Sequence, residues 1–244
     1  MRIDDTKRLV ITTTEKIMIY EAKKSTMSKV KALIMGESGA GKSHLIATSP
    51  SPLIVLTEPN GAASVAASNP NALIVHCHNL SEFYTVLNLI KAGQTGHEFD
   101  TVVIDSITEL QRFFIDYIQG DSDKMTLQDY GKLAQQFSKC IRDVIKLDYH
   151  IVCTALCSVE LEEEKTRHLY PLLTGKLRFT IQQYFSGVGY LYQTGKTDDA
   201  GFSQRALLLD GHDRIKTKAF PNTKGTILQP HLTDIFSTVI KGLD

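Results

Sequence analysis

Gly36-Glu37-Ser38-Gly39-Ala40-Gly41-Lys42-Ser43 decides how this chain is read. The stretch fits the phosphate-loop pattern G-x-x-x-x-G-K-[ST] at every fixed position. Glycines let a backbone wrap an anion with successive N–H groups pointing inward. At this spacing the lysine reaches the β- and γ-phosphates of a nucleotide, and the next hydroxyl can ligate Mg²⁺. A helix that starts here adds roughly half a positive charge at the anion. The candidate nucleotide contacts are therefore Gly36, Glu37, Ser38, Gly39, Ala40, Gly41, Lys42, Ser43 and His44. The alternative is a glycine-rich turn that binds nothing, and the flanks weigh against it. Lys31-Ala32-Leu33-Ile34-Met35 reads as a buried strand, and His44-Leu45-Ile46-Ala47 as a helix stopped at Ser49-Pro50.

The bulk properties narrow the class. With 244 residues the chain is one large domain or two small ones. Its formal net charge is zero, so a polyanion site must be a local patch. Cys77, Cys140, Cys153 and Cys157 form no C-x-x-C pair and have no histidine at zinc spacing. They read as buried small hydrophobes in a reducing compartment. There is no signal peptide and no membrane-spanning run, so the expectation is a cytoplasmic protein without a membrane partner.

Apolar runs lay out the rest. Residues 1–28 read as an N-terminal β extension and linker, with strands at Leu9 to Thr13 and Lys16 to Tyr20. Residues 29–244 form the core. Strands are expected at Leu53 to Thr57, Leu73 to His76, Thr101 to Asp105, His150 to Leu156, Gly187 to Gln193 and Arg205 to Leu209. Helices are expected at Gly61 to Ser68, Ser81 to Ile90, Ile107 to Ile118, Leu127 to Leu147, Leu177 to Tyr184 and Thr233 to Lys241. This alternation predicts an α/β fold of three layers, a mainly parallel sheet flanked by helices, with antiparallel additions on the C-terminal side. Ligand then sits at the carboxyl ends of the strands.

Val102-Val103-Ile104-Asp105-Ser106 is an apolar strand ending in a carboxylate, the Walker B pattern that holds Mg²⁺. Asp105 is also placed to cap the helix that follows. Two further strands lie between the phosphate loop and Asp105, as in ATPases that insert a strand between the Walker A and Walker B strands. Many of these carry a water-activating glutamate directly after the aspartate, but here that residue is Ser106. Glu58, at the end of the 53–57 strand, is the candidate base. Its plain reading is a turn residue in Thr57-Glu58-Pro59-Asn60-Gly61.

The arrangement resembles the RecA-like ATPase core, in which a glutamate follows the strand after the phosphate-loop helix and the Walker B strand ends in Asp-Ser. The likeness runs from about Lys31 to Lys218 and is closest to phage-type members of the AAA/RecA-like group, some of which anneal or recombine single strands. It rests on Gly36 to Ser43, Val102 to Ser106, Pro171-Leu172-Leu173-Thr174-Gly175-Lys176-Leu177 and Lys216-Thr217-Lys218. It implies ATP and Mg²⁺ as cofactors, with Ser43 and Asp105 at the metal and Lys42 and Glu58 in hydrolysis. In such assemblies a Lys-x-Lys pair reaches a neighbour's γ-phosphate, which would make Lys216 and Lys218 catalytic in trans. Two lysines two apart on a strand face one side; they also suit a solvated edge strand. The Asn-Gln pair that senses γ-phosphate is missing near Cys157, with Thr154 or Ser158 as substitutes, and RecA's large extra domains are absent.

The resemblance also points to single-stranded DNA on two segments, Gln119 to Thr126 and Ser158 to Thr174. Candidate contacts are Lys165, Arg167, Tyr170, Lys176 and Arg178, cations beside an aromatic ring. Glu160, Glu162, Glu163 and Glu164 precede them, so an exposed hairpin of mixed charge is the competing reading. The expected protein is thus a DNA-stimulated ATPase of phage annealing or recombination, in the cytoplasm of a bacterial host. It would be a homo-oligomer with nucleotide between subunits, and a single-stranded-DNA-binding protein is a further expected partner. A helicase loader or packaging accessory acting on a protein partner is the alternative. A small-molecule kinase ranks behind both, because no arginine-rich lid is visible.

Overall fold

The computed structural model describes residues 29–161, 167–197, 201–210 and 215–241. The expected strands at 9–13 and 16–20 lie outside these residues.

Strand and helix alternate as the apolar runs require. The first half runs β1 (Lys31–Met35), α1 (Lys42–Ala47), β2 (Pro52–Leu56), α2 (Ala62–Ser68), β3 (Leu73–His76), α3 (Leu80–Ala92) and β4 (Thr101–Asp105). It continues with α4 (Ile107–Gln119), α5 (Leu127–Ile145) and β5 (His150–Ala155). A hairpin of β6 (Cys157–Leu161) and β7 (Arg167–Pro171) stands as a separate two-stranded sheet. Then come α6 (Leu177–Thr180), a 3-10 turn at Ile181–Tyr184, β8 (Gly187–Thr197), β9 (Ser203–Leu208), β10 (Thr226–Leu228) and α7 (Leu232–Lys241).

The main sheet has the order β10-β9-β8-β1-β5-β4-β2-β3. The β8-β1-β5-β4-β2-β3 portion is parallel throughout, and β9 and β10 add on antiparallel. β5 is the strand inserted between β1, which leads into the phosphate loop, and β4, which ends in Asp105.

The central strands bury both faces, which is why they read as unbroken apolar runs. Leu33, Met35, Val55, Val102, Ile104, Ile151 and Cys153 face one core, where they meet Phe83, Phe114, Phe137 and Ile141 of α3, α4 and α5. Ala32, Ile34, Ile54, Leu56, Val103 and Val152 face a second core with Leu45, Ile46, Val65, Ile235 and Phe236 of α1, α2 and α7. That is the expected three-layer architecture. α5 shows how a polar sequence is recruited: Leu133, Phe137, Cys140, Ile141 and Val144 are buried at helical spacing. Thr126 and Asp129 close a reciprocal capping box at its start. All four cysteines are free thiols. Among the described residues no helix is long and apolar enough to cross a membrane.

Candidate functional site

The loop between β1 and α1 is built for close backbone approach. The Gly36 N–H donates to the Ala155 carbonyl at 3.2 Å, tying the loop to the end of β5. A Cβ at Gly36 would stand 2.7 Å from the Leu191 carbonyl oxygen, so no larger residue fits without displacing backbone. Gly41 caps α1 at φ 95, in the left-handed region. A Cβ there would also overlap the Arg205 side chain, whose guanidinium carbon lies 3.0 Å away. No side chain of the N-cap residue, Gly41, caps the first amides of α1.

Lys42 is only 8% exposed. Its ammonium donates to the carbonyls of Gly36 at 3.0 Å and Glu37 at 2.8 Å. Burial holds its pKa below the ordinary lysine value, while the negative fields of Asp105 and Glu58 work the other way.

Ser43 and Asp105 are joined across the site. The Ser43 hydroxyl donates to Asp105 Oδ2 at 3.0 Å, and the Thr154 hydroxyl of β5 donates to Oδ1. Asp105 is 2% exposed. Burial raises its pKa; the hydrogen bonds from Thr154 and Ser43 and the Lys42 charge oppose that shift, and Glu58 adds to it.

The ends of β2 and β4 are laced together. The Asp105–Ser106 peptide is cis. The Thr57 N–H donates to the Asp105 carbonyl at 2.9 Å. The Thr57 hydroxyl accepts from the Ser106 N–H at 2.9 Å and donates to the Ser106 carbonyl at 2.8 Å. The Ser106 hydroxyl donates to Glu58 Oε1 at 2.6 Å and accepts from the Glu109 N–H at 3.3 Å. Glu58 is therefore positioned by a side chain at the end of the neighbouring strand. The cap of α4 falls to Ser106, not to Asp105: the carboxylate is turned to Ser43 and Thr154, which leaves the next hydroxyl to accept the first-turn amide.

These groups suit a triphosphate and a hard divalent ion. Mg²⁺ takes few protein ligands, commonly one or two carboxylates or hydroxyls, and completes its shell with phosphate and water. Ser43 and Asp105 supply such oxygens. Among the described residues no cluster of three or more His, Cys, Asp or Glu forms a self-sufficient metal cage.

The remaining expected residues make contacts of their own. His44 follows Ser43 on α1, its Nδ1 2.7 Å from the Ser68 hydroxyl. Lys216 and Lys218 do not lie on a regular strand: Ile215 and Lys218 make single bridges, to Leu169 and Val188. The Lys218 ammonium donates to the Phe185 carbonyl at 2.8 Å, before β8 and away from the phosphate loop. One side of a common strand therefore does not bring the two lysines together. Lys165 lies outside the described residues, as do the side chains of Arg167 and Ser158. Tyr170 is buried, 8% exposed, with its ring edge-on to Phe179. The ring open to solvent there is Phe179, at 53%, with the Arg178 guanidinium 5.6 Å over it and exposed Lys176 on the same short segment. The 158–174 segment is largely the β6–β7 hairpin, and Leu156 and Leu172 tie its base to the end of β5 where the loop begins.

Thr57 and Arg205 join the site without a local mark in the sequence. Thr57 reads as the last residue of a strand, and Arg205 arrives from β9 through tertiary packing alone. No curated protein matches the chain by sequence. A family model described as AAA domain matches residues 28–219, most of the chain, and so, with this fold and this phosphate loop, the chain belongs to the AAA-domain family of P-loop nucleotide-binding ATPases.

Proposed function

We propose that the protein is a Mg²⁺-dependent, RecA-like ATPase that acts as an oligomer on single-stranded DNA in phage annealing or recombination. The observation that carries the hydrolytic part is the convergence of Lys42, Ser43, Asp105 and a Ser106-held Glu58 at the ends of β1, β4 and β2. Mg²⁺, held through Ser43 and Asp105, would neutralise charge on the β- and γ-phosphates. Lys42 exchanges its two loop carbonyls for phosphate oxygens. Glu58 takes a proton from the attacking water, whose oxygen bonds to the γ-phosphorus as the bond to ADP breaks. Ser106 keeps the carboxylate aimed, and Thr154 bridges β5 to the metal-holding carboxylate.

The DNA part rests on the RecA resemblance and on Phe179, Arg178 and Lys176, a ring with cations beside the β6–β7 hairpin. The hairpin springs from the same end of the sheet as the phosphate loop, which supports communication between the two. With Lys218 engaged at Phe185, Lys216 is the better candidate for a contact to a neighbour's phosphate. A second reading, ATP-dependent loading of a protein partner, is favoured by exposed Tyr117, Leu127 and Tyr130 around the α4–α5 connection.

Steady-state phosphate release with and without oligo-dT, at low and moderate salt, tests the proposal. Stimulation by DNA that fades as salt rises supports it. Turnover that ignores DNA at every salt concentration moves the assignment to the protein partner.

A further inference from the structure

We infer that α7 sets the position of the phosphate-loop helix α1, with Thr48 as the positioning residue through which it acts. This rests on the nucleotide reading above and adds what holds the loop's helix in place. The family match ends at residue 219 and α7 begins at Leu232, so the anchor comes from outside the matched domain.

Length comes first. α1 has six residues, too few to hold a helix alone, so its place depends on what it is fastened to. Its first turn carries Lys42 and Ser43. Its last turn presents carbonyls that need donors. The Thr48 N–H and hydroxyl both return to the Leu45 carbonyl, at 3.1 and 2.6 Å. The Ser49 N–H donates to the Ile46 carbonyl at 3.1 Å. The side-chain amide of Asn69, at the end of α2, donates to the Ala47 carbonyl at 2.9 Å.

The start of α7 takes hold of Thr48 from the other side. The Leu232 N–H donates to the Thr48 hydroxyl at 2.9 Å. The Thr233 N–H and hydroxyl donate to the Thr48 carbonyl at 3.2 and 2.7 Å. One hydroxyl thus donates into α1 and accepts from α7. First-turn amides of one helix meet the carbonyl end of another, so each supplies what the other lacks. The dipoles agree, the positive start of α7 lying on the negative end of α1.

α7 can serve as an anchor because it is itself fixed. Leu232, Ile235, Phe236 and Val239 are buried in the same core as Leu45, Ile46 and Ala47. The Phe236 ring stacks on His150, the first residue of β5, with centroids 5.0 Å apart. Thr48 stands five positions beyond Ser43, about 7.5 Å along a helix axis. A slide of α1 by about 1 Å away from β4 would take the Ser43–Asp105 contact, 3.0 Å here, out of hydrogen-bond range and carry Lys42 with it.

The test measures Mg–ATP affinity and thermal melting on the full chain. Thr48→Val keeps the shape and removes the bridging hydroxyl, Thr48→Ser keeps the hydroxyl, and Thr233→Val removes the donor on the α7 side. Val239→Ala loosens the buried face of α7 without touching Thr48. Thr48→Val and Thr233→Val should each bind Mg–ATP about threefold to tenfold more weakly, the worth of a lost hydrogen bond. Thr48→Ser should bind like the wild type, and Val239→Ala should melt earlier with its affinity unchanged. Wild-type affinity in Thr48→Val overturns the inference. So does a loss confined to Thr48→Val, since α7 would then play no part. An affinity in Val239→Ala that falls with its melting temperature as it does in Thr48→Val also overturns it, because α7 would then be packing alone. Failure of the wild type to bind Mg–ATP strikes the nucleotide reading itself and is seen before any variant is made.

Discussion

The Ser43 hydroxyl and the Asp105 carboxylate, sixty-two positions apart in the chain, meet at 3.0 Å. The contact joins the phosphate loop to the end of β4 across the inserted strand β5, and Thr154 of β5 holds the other carboxylate oxygen. Asp105→Asn keeps the shape and removes the charge. Its expected effect is a fall in Mg²⁺-dependent turnover of about a hundredfold or more, with the melting temperature little changed. Phosphate release titrated against Mg²⁺ checks this; wild-type turnover in the variant would remove Asp105 from the metal site.

In the proposed mechanism Glu58 would be the base and Ser106, bonded to it at 2.6 Å, would hold it in place. Glu58→Gln is expected to retain ATP and to lose hydrolysis by about a hundredfold to ten-thousandfold. Ser106→Ala loses the 2.6 Å bond that aims Glu58 and the cap of α4. Turnover should drop by a smaller factor, and stability by about 1 kcal/mol. Single-turnover hydrolysis with parallel thermal melts separates the two effects. Loss of ATP binding in Glu58→Gln would make Glu58 structural.

His150 sets a pH limit. Its Nδ1 accepts from the Val30 N–H at 3.0 Å and its ring stacks on Phe236. Burial, with a further push from Lys29, lowers its pKa from 6.5 to about 4. The unfolded chain therefore binds a proton below 6.5 that the folded chain refuses. The stability from neutral His150 is fully present above 6.5, declines as pH falls, and levels off below about 4. His150→Asn retains an acceptor but cannot titrate. Between pH 6.5 and 4 its melting temperature should fall less steeply than that of the wild type; parallel curves would contradict the assignment.

Phe179 replaces Tyr170 as the ring proposed to stack on a base. Phe179→Ala should weaken binding of oligo-dT by about 1–3 kcal/mol. Tyr170→Phe should leave it unchanged, since that ring is buried. Fluorescence anisotropy at low salt measures both, and equal affinities for wild type and Phe179→Ala would remove the stacking contact.

Much of this architecture is legible because burial leaves a local trace. The middles of β1, β4 and β5 (Ala32 to Met35, Val102 to Ile104 and Ile151 to Cys153) are apolar since helices cover both faces, and the phosphate loop carries its glycines at fixed spacing. Contacts made across the fold leave no such trace. Arg205 is one polar residue in a strand until β9 lays it on Gly41. Ser106, rather than Asp105, caps α4 because Ser43 and Thr154 claim the carboxylate. β10 has three residues, too few for a period to show. Lys216-Thr217-Lys218 has the spacing of a strand but makes only single bridges, because β8 is already paired with β1 and β9 along most of its length.

The central claim is that Lys42 and the loop amides grip a triphosphate. Calorimetric titration of the wild type and Lys42→Ala with Mg–ATP tests it most directly. Wild type should bind, and Lys42→Ala should bind about tenfold to a hundredfold more weakly, the loss of a charge-assisted contact. Equal affinity in the two proteins, or no binding by the wild type, would contradict it.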